Sequence, residues 1–299
     1  MRSQQAYYTG DSASAYGEPV QIAHNGNSSM PYPYLMDLRI ARETGHDGVL
    51  IVGDKLRRYL TEGFSITHAA AALDGLPVLG MNNIRDIERS SVSGRAELLA
   101  ETEAMCTLAN AIGCPSIQLL TGPLDPSGPY QEPWVMDPVD LDRETTANLR
   151  QIGSIGRQFG ISFYIEPLAW TPLNNLERIL HILQEAAEDN VGLAVDFWHL
   201  WNTGVEPDDV ARIDGRLIRS VDVCDGIGPP GGALAGYDQR GRRVWTGAGA
   251  IPLKVWVDAV RATGFDGTWS CELLSPQHWQ LDPWRTALDQ RQLLHYLFL

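Results

Sequence analysis

VGLAVDFWH, residues 191–199, is an apolar run that ends in an acid, and three other stretches repeat it: SFYIEPL at 162–168, IRSVDVCDG at 218–226 and TWSCELL at 268–274. The acids are Asp196, Glu166, Asp222 and Glu272. Short runs that are apolar throughout read as strands buried on both faces, the habit of parallel sheets covered by helices. If such strands close into a barrel, alternate side chains point at a common axis, and acids at the strand ends converge. Converging carboxylates repel one another unless protonated or neutralised, and oxygen donors of this kind suit a hard cation. The four runs therefore predict a divalent metal held by Glu166, Asp196, Asp222 and Glu272.

Working outward, four more runs of the same type precede these: VQIAHNG near 20–26, GVLIVG near 48–53, PVLGMN near 77–82 and SIQLLTG near 116–122. Between the runs, residues 33–45, 94–113, 143–160 and 176–189 carry apolar residues at helical spacing, and residues 69–72, 252–264 and the last helix at 282–299 fit the same exterior layer. Eight strands alternating with helices predict a single (β/α)8 TIM barrel, an α/β fold that ordinarily takes roughly 250 residues. We read 19–299 as that barrel, 1–18 as a polar N-terminal arm able to reach a partner subunit or second copy, and 226–250 as a Gly-rich insertion on the catalytic face.

Composition narrows the function. Of 299 residues 44% are hydrophobic, enough for a sizeable core, and the net charge of −14 repels phosphate backbones, so nucleic acid is not an expected partner. The start has no apolar core and no run is long enough to span a bilayer, so neither export nor a membrane is expected. Cys106, Cys114, Cys224 and Cys271 form no CxxC pair, which fits a reducing cytoplasmic setting.

An acid just past a strand is ordinarily a helix cap or an ion-pair partner, and here it is the fourfold repetition that argues otherwise. Alternation agrees: Tyr164, Ala194, Ser220 and Ser270 share the inward face with the acids, while Phe163, Ile165, Val195, Val221 and Cys271 face the helices. His199 lies one turn beyond Asp196, and Arg243 lies in the Gly-rich loop, both candidates to hold substrate oxygens. Trp170, Trp198, Trp201, Trp245 and Trp279 fall past strand ends or in that loop and suggest stacking walls for a carbohydrate. His24, Gln118 and His278 are further candidates near strand ends, and Lys55 is a weaker one as an imine-forming amine.

These residues carry a resemblance. The chain resembles the xylose-isomerase-like TIM-barrel superfamily, in particular the sugar phosphate isomerase/epimerase group that includes the ketose 3-epimerases, through IEP at Glu166, VGLAVDFWH at Asp196 to His199, VDVCDG at Asp222 to Asp225, RVWTGAGAIPL from Arg243 and GFDGTWSCE ending at Glu272. The resemblance implies metal binding by Glu166, Asp196 and Glu272, substrate binding by His199 and Arg243, and proton exchange by Glu166 and Glu272. The family usually has His where this chain has Asp222, and a Pro and Glu that RVWTGAG lacks. A fourth acid favours Mn²⁺ or Mg²⁺ over Zn²⁺, with Co²⁺ also possible, and the histidine-rich zinc cluster of the DNA-repair relative endonuclease IV is absent. The expected activity is abstraction of a proton α to a ketone in a keto-sugar or related polyol, through an enediolate. Elimination from the same enediolate, by a keto-cyclitol dehydratase or a 3-keto-glycoside lyase, is the alternative, and a non-catalytic carbohydrate-binding barrel is the alternative of another class.

Overall fold

The computed structural model describes residues 20–125, 127–228 and 243–299. Eight parallel strands close on themselves in chain order: β1 (Gln21–Asn25), β2 (Gly48–Val52), β3 (Val78–Ile84), β4 (Ser116–Leu120), β5 (Ser162–Glu166), β6 (Val191–Asp196), β7 (Ile218–Asp222) and β8 (Thr268–Ser270), with β8 paired to β1. Each apolar run is a strand, and the fold is the (β/α)8 TIM barrel. One offset occurs at the end of the chain, where β8 stops at Ser270 and leaves Glu272 in the loop beyond it.

The exterior is formed by α1 (Tyr34–Glu43), α2 (Gly53–Thr61), α3 (Ile66–Ala71), α4 (Val92–Ala111), α5 (Glu132–Val135), α6 (Pro138–Phe159), α7 (Leu176–Ala186), α8 (Phe197–Asn202), α9 (Pro207–Val210), α10 (Leu253–Ala262) and α11 (Pro283–Leu297). Side-chain oxygens start several of them: Ser91 accepts from Gly94 N–H before α4, Asn175 from Arg178 N–H before α7, and Asp282 from Trp284 N–H before α11. Gly160 closes α6 at φ 68°, a left-handed turn that a side chain would strain.

Pleat alternation sorts the strands as expected. Phe163 presses outward on α6, so closely that a Cβ on Gly156 would fall 2.3 Å from its ring, and Trp269 meets Phe298 edge-on with centroids 5.0 Å apart. Inward, the Tyr164 hydroxyl reaches Gly80 of β3, where a Cβ would come within 2.9 Å. Four helices, α2, α5, α8 and α9, went unread in the sequence. The buried stripe of α2 includes Lys55 beside Leu56 and Tyr59, so a charge hides its apolar face. Every residue of α8 is buried, which erases the amphipathic period.

The arm at 1–18 and residues 229–242 of the insertion lie outside the described residues. Among the described residues no helix is long and apolar enough to cross a membrane.

Candidate active site

The C-terminal ends of β5 to β8 bring four buried acids together, each between 1% and 4% exposed. Glu166 ends β5, Asp196 ends β6, Asp222 ends β7, and Glu272 follows β8. Glu166, Asp196 and His199 present ligand atoms within 4.8 Å of one another, as do Asp196, Cys224 and Glu272, so Asp196 joins two overlapping groups. Asp222 belongs to neither group. Its carboxylate accepts from Asn25 Nδ2 at 3.2 Å and from the Ser270 hydroxyl, which places it beside the cluster, on the β1 side.

Each glutamate is fixed through one oxygen by an amide. Gln118 Nε2 donates to Glu166 Oε2 at 2.7 Å, and Asn27 Nδ2 donates to Glu272 Oε1 at 2.7 Å. The other oxygens are left differently. Glu272 Oε2 lies 3.2 Å from Arg243 Nη1, whereas Glu166 Oε1 is buried with no hydrogen-bond partner, and His199 Nε2 lies 3.5 Å from it. Asp196 divides its work: Oδ1 caps α8 by accepting from His199 N–H at 2.8 Å, and Oδ2 turns to Cys224 Sγ at 3.1 Å and Arg243 Nη1 at 3.7 Å. The helix-cap role that a lone acid would have thus coexists with a place in the site.

Electrostatics follow from this packing. Burial raises the Glu166 pKa well above the carboxylate range, and Glu272, Asp196 and Asp222 add to the rise. Burial likewise raises Glu272, against the pull of Arg243. Asp222 is pushed to about 8 by burial and by Glu272 and Asp196, despite hydrogen bonds from Ser270 and Asn25. Burial would also raise Asp196, but Arg243, His199 and hydrogen bonds outweigh it and hold it low. Burial lowers His199 to about 3, so the ring is neutral. Ala169 N–H donates to its Nδ1 at 3.0 Å, which puts the ring proton on Nε2, facing Glu166 Oε1. Arg243 stacks over Trp198 at 4.8 Å, and its Nη2 lies 3.2 Å from His199 Nε2, so two donors meet at one side of the cluster.

Four buried carboxyls face one guanidinium, so their ionised forms leave negative charges unbalanced. A divalent cation would neutralise them, and the partnerless Glu166 oxygen is a ready acceptor for one. The donor set therefore fits a metal.

The cavity in front of the cluster measures about 360 Å³ and is lined by Asn27, Met30, Asn83, Gln118, Leu120, Leu124, Glu166, Leu168, Trp170, His199, Glu272, Leu274 and Trp279. Of the tryptophans, Trp170 and Trp279 are in this lining. Trp198 and Trp201 are packed in the core, and Trp245 stands beside His278 at 5.5 Å, so among the described residues two rings of the wall read from the sequence line this cavity. His24 is buried against Ser29 and His46 and stays outside the cavity, and His278 binds Ser275. Lys55 has no free amine to offer: its Nζ contacts Gly26 O, Ser29 O and both Asp37 oxygens at 2.7 to 2.9 Å.

A family model described as the xylose isomerase-like TIM barrel matches residues 38–294. The chain belongs to the xylose isomerase-like TIM barrel family. Among curated members it is 24% identical over 250 residues to the inosose isomerase of Bacillus subtilis, covering 82% of this chain and 86% of that protein. It is 25% identical over 259 residues to the 3-dehydroshikimate dehydratase of Pseudomonas aeruginosa, covering 85% of this chain and 38% of that one. Among solved structures, the IolI protein with a binding zinc atom superposes with a TM-score of 0.82 at 20% identity, over 93% of this chain and 97% of that one, a likeness of fold.

Within this family member, three contributors escaped the sequence reading. Asn27 follows β1 in HNGNSS, and Cys224 lies two residues past Asp222; an amide or thiol at a strand end is the only local signal for either. Asp225 was read only as part of a motif. It accepts from the N–H groups of Gly226, Gly247, Gly249 and Ile251 at 2.8 to 3.2 Å, folding the loop that delivers Arg243. Gly249 must be glycine for this, since a Cβ there would lie 2.1 Å from Asp225 Oδ1.

Proposed function

We propose that this enzyme is a divalent-metal-dependent isomerase or epimerase of a keto-sugar or keto-cyclitol, working by removal and return of the proton α to the ketone through an enediolate. The observation that carries this reading is the pair of glutamates: Glu166 and Glu272 enter one cavity, each held by a single amide, and Glu166 keeps an oxygen with no partner. A base held this way has a defined line of approach, and burial keeps its proton affinity high.

Glu166, Asp196 and Glu272 would hold the metal, with His199 and Cys224 adjacent and Asp222 beside the set rather than in it. Mn²⁺ is the proposed ion, with Mg²⁺ or Co²⁺ as alternatives, because the donors are chiefly carboxylate oxygens. When bound, such an ion polarises a ketone oxygen and acidifies the neighbouring C–H. Glu166 and Glu272 exchange the proton, one on each side of the substrate. His199 Nε2–H and Arg243 steady the substrate oxygens, and Trp170 packs on the ring. Return of the proton to the same carbon from the opposite side gives epimerisation, and return to the neighbouring carbon gives isomerisation.

Elimination is the second reading. It is favoured by the similarity to a dehydratase and by the apolar part of the cavity, since the same enediolate can expel a β-substituent. Incubation with keto-cyclitols and keto-sugars in deuterated water tests both. Deuterium uptake at the α carbon supports enediolate chemistry, an isomer identifies the first reading and an unsaturated or fragmented product the second. No uptake with metal-loaded protein on any of these substrates would overturn both and return the carbohydrate-binding alternative.

A further inference from the structure

The cavity divides sharply in what it offers a ligand, and this inference rests on the site proposed above. Polar groups are few and mostly committed. One N–H of Gln118 goes to Glu166 and one of Asn27 to Glu272, His199 Nδ1 accepts from Ala169 N–H, and Asn83 Oδ1 accepts from Arg85 Nε at 2.8 Å. What remains is the carboxylate edge, His199 Nε2–H and the unused amide groups of Gln118, Asn27 and Asn83, enough for the hydroxyls of a single ring. The rest of the wall is Met30, Leu120, Leu124, Leu168, Leu274 and the Trp279 ring, whose indole N–H is already bonded to Asn27 O and Leu273 O. Such side chains give nothing to a hydroxyl and would strip its water at a cost. They do favour apolar surface.

Charge points the same way. Among the described residues the cavity lining contains no lysine or arginine; of the cations that touch it, Arg243 is engaged with Glu272, Asp196 and the Trp198 face, and Arg85 with Asn83 and Asp54. An added phosphate or carboxylate would meet buried acids without a partner.

We propose that the cavity takes an uncharged keto-sugar or keto-cyclitol ring bearing an apolar substituent, an aryl or long alkyl glycoside, in preference to a sugar phosphate or a keto acid. The substituent lies along Leu124, Leu274 and Trp279 while the ring faces Glu166 and Glu272.

The test is a competition series on Mn²⁺-loaded full-length protein, with binding read by titration calorimetry and turnover by deuterium uptake. The probes are methyl and phenyl 3-keto-glucosides, the 6-phosphate of the methyl compound, and 3-dehydroshikimate. The phenyl glycoside should bind at least tenfold more tightly than the methyl, and both anions at least tenfold more weakly. Leu274→Asn should reduce the phenyl-to-methyl ratio toward one at unchanged metal content. Equal binding of phenyl and methyl compounds, or tighter binding of either anion, would overturn the proposal. The stated binding order without deuterium uptake would uphold the pocket assignment while removing the enediolate reading, so the two fail separately.

Discussion

Two places in this barrel bury charge, and they solve the problem in opposite ways. Behind β1 and β2, Lys55 and Asp37 form a closed pair: the ammonium meets two carbonyl oxygens and both carboxylate oxygens, and the Ser29 hydroxyl also donates to Asp37. Nothing is left to bind. At the ends of β5 to β8, four acids share one guanidinium, a Glu166 oxygen has no partner, and burial raises three of the four carboxyls. A closed pair holds structure together, whereas an unclosed one costs stability that a ligand can return.

The largest expected effect separates these roles directly. Glu166→Gln or Glu272→Gln should lower turnover by about 10² to 10⁴-fold, the usual worth of a positioned general base. The same substitutions should leave the metal-free protein at least as stable as before, because a carboxyl whose ionisation burial penalises has gone. Unfolding in urea beside deuterium-uptake rates checks both. Lys55→Met, next in size, should do the reverse and destabilise by about 3–5 kcal/mol, since it strands a buried carboxylate. If Glu166→Gln cost as much stability as Lys55→Met, the contrast would be lost.

A pH series sharpens it further. Carboxyls with raised pKa hold protons in the folded state that the unfolded chain has released, so stability is full below their ordinary pKa and is lost as pH rises through the folded value. Asp37, raised to about 6 mainly by burial, contributes at the acidic end. Above that, Asp222, raised to about 8, and Glu166 and Glu272, also raised, should make the metal-free protein less stable with each step toward pH 8. Asp222→Asn should flatten that upper segment, and added Mn²⁺ should reverse it. The smallest effect expected is on metal affinity: with its carboxylate on Asn25 and Ser270, Asp222→Asn should weaken binding by no more than about 10–100-fold, the range of an outer neighbour, and less than Asp196→Asn.

The barrel was legible because its signals are local. VGLAVDFWH contains strand, acid and histidine within one stretch, and the pleat assigns Asp196 and Phe163 to opposite faces without reference to the rest of the chain. What escaped depends on distance or on burial. Asn27 meets Glu272 across 245 positions, and nothing near either announces the other. Asp222 and Asp196 are alike in sequence, yet Ser270 and Asn25, brought in from β8 and β1, draw one aside. Tryptophans past strand ends look equivalent on the page, but Trp198 lies beneath Arg243 while Trp170 and Trp279 reach the cavity. Lys55 hid a helix and drew its weaker reading as an amine for the same reason, since a buried charge with every donor satisfied breaks an apolar pattern as an active amine would.

Metal analysis of purified protein, followed by chelation and add-back, tests the central claim most directly. The account predicts about one divalent ion per chain, loss of substrate-dependent deuterium uptake and of thermal stability on chelation, and recovery of both with Mn²⁺. A protein that carries no metal, and whose stability and uptake are untouched by chelation, would contradict it.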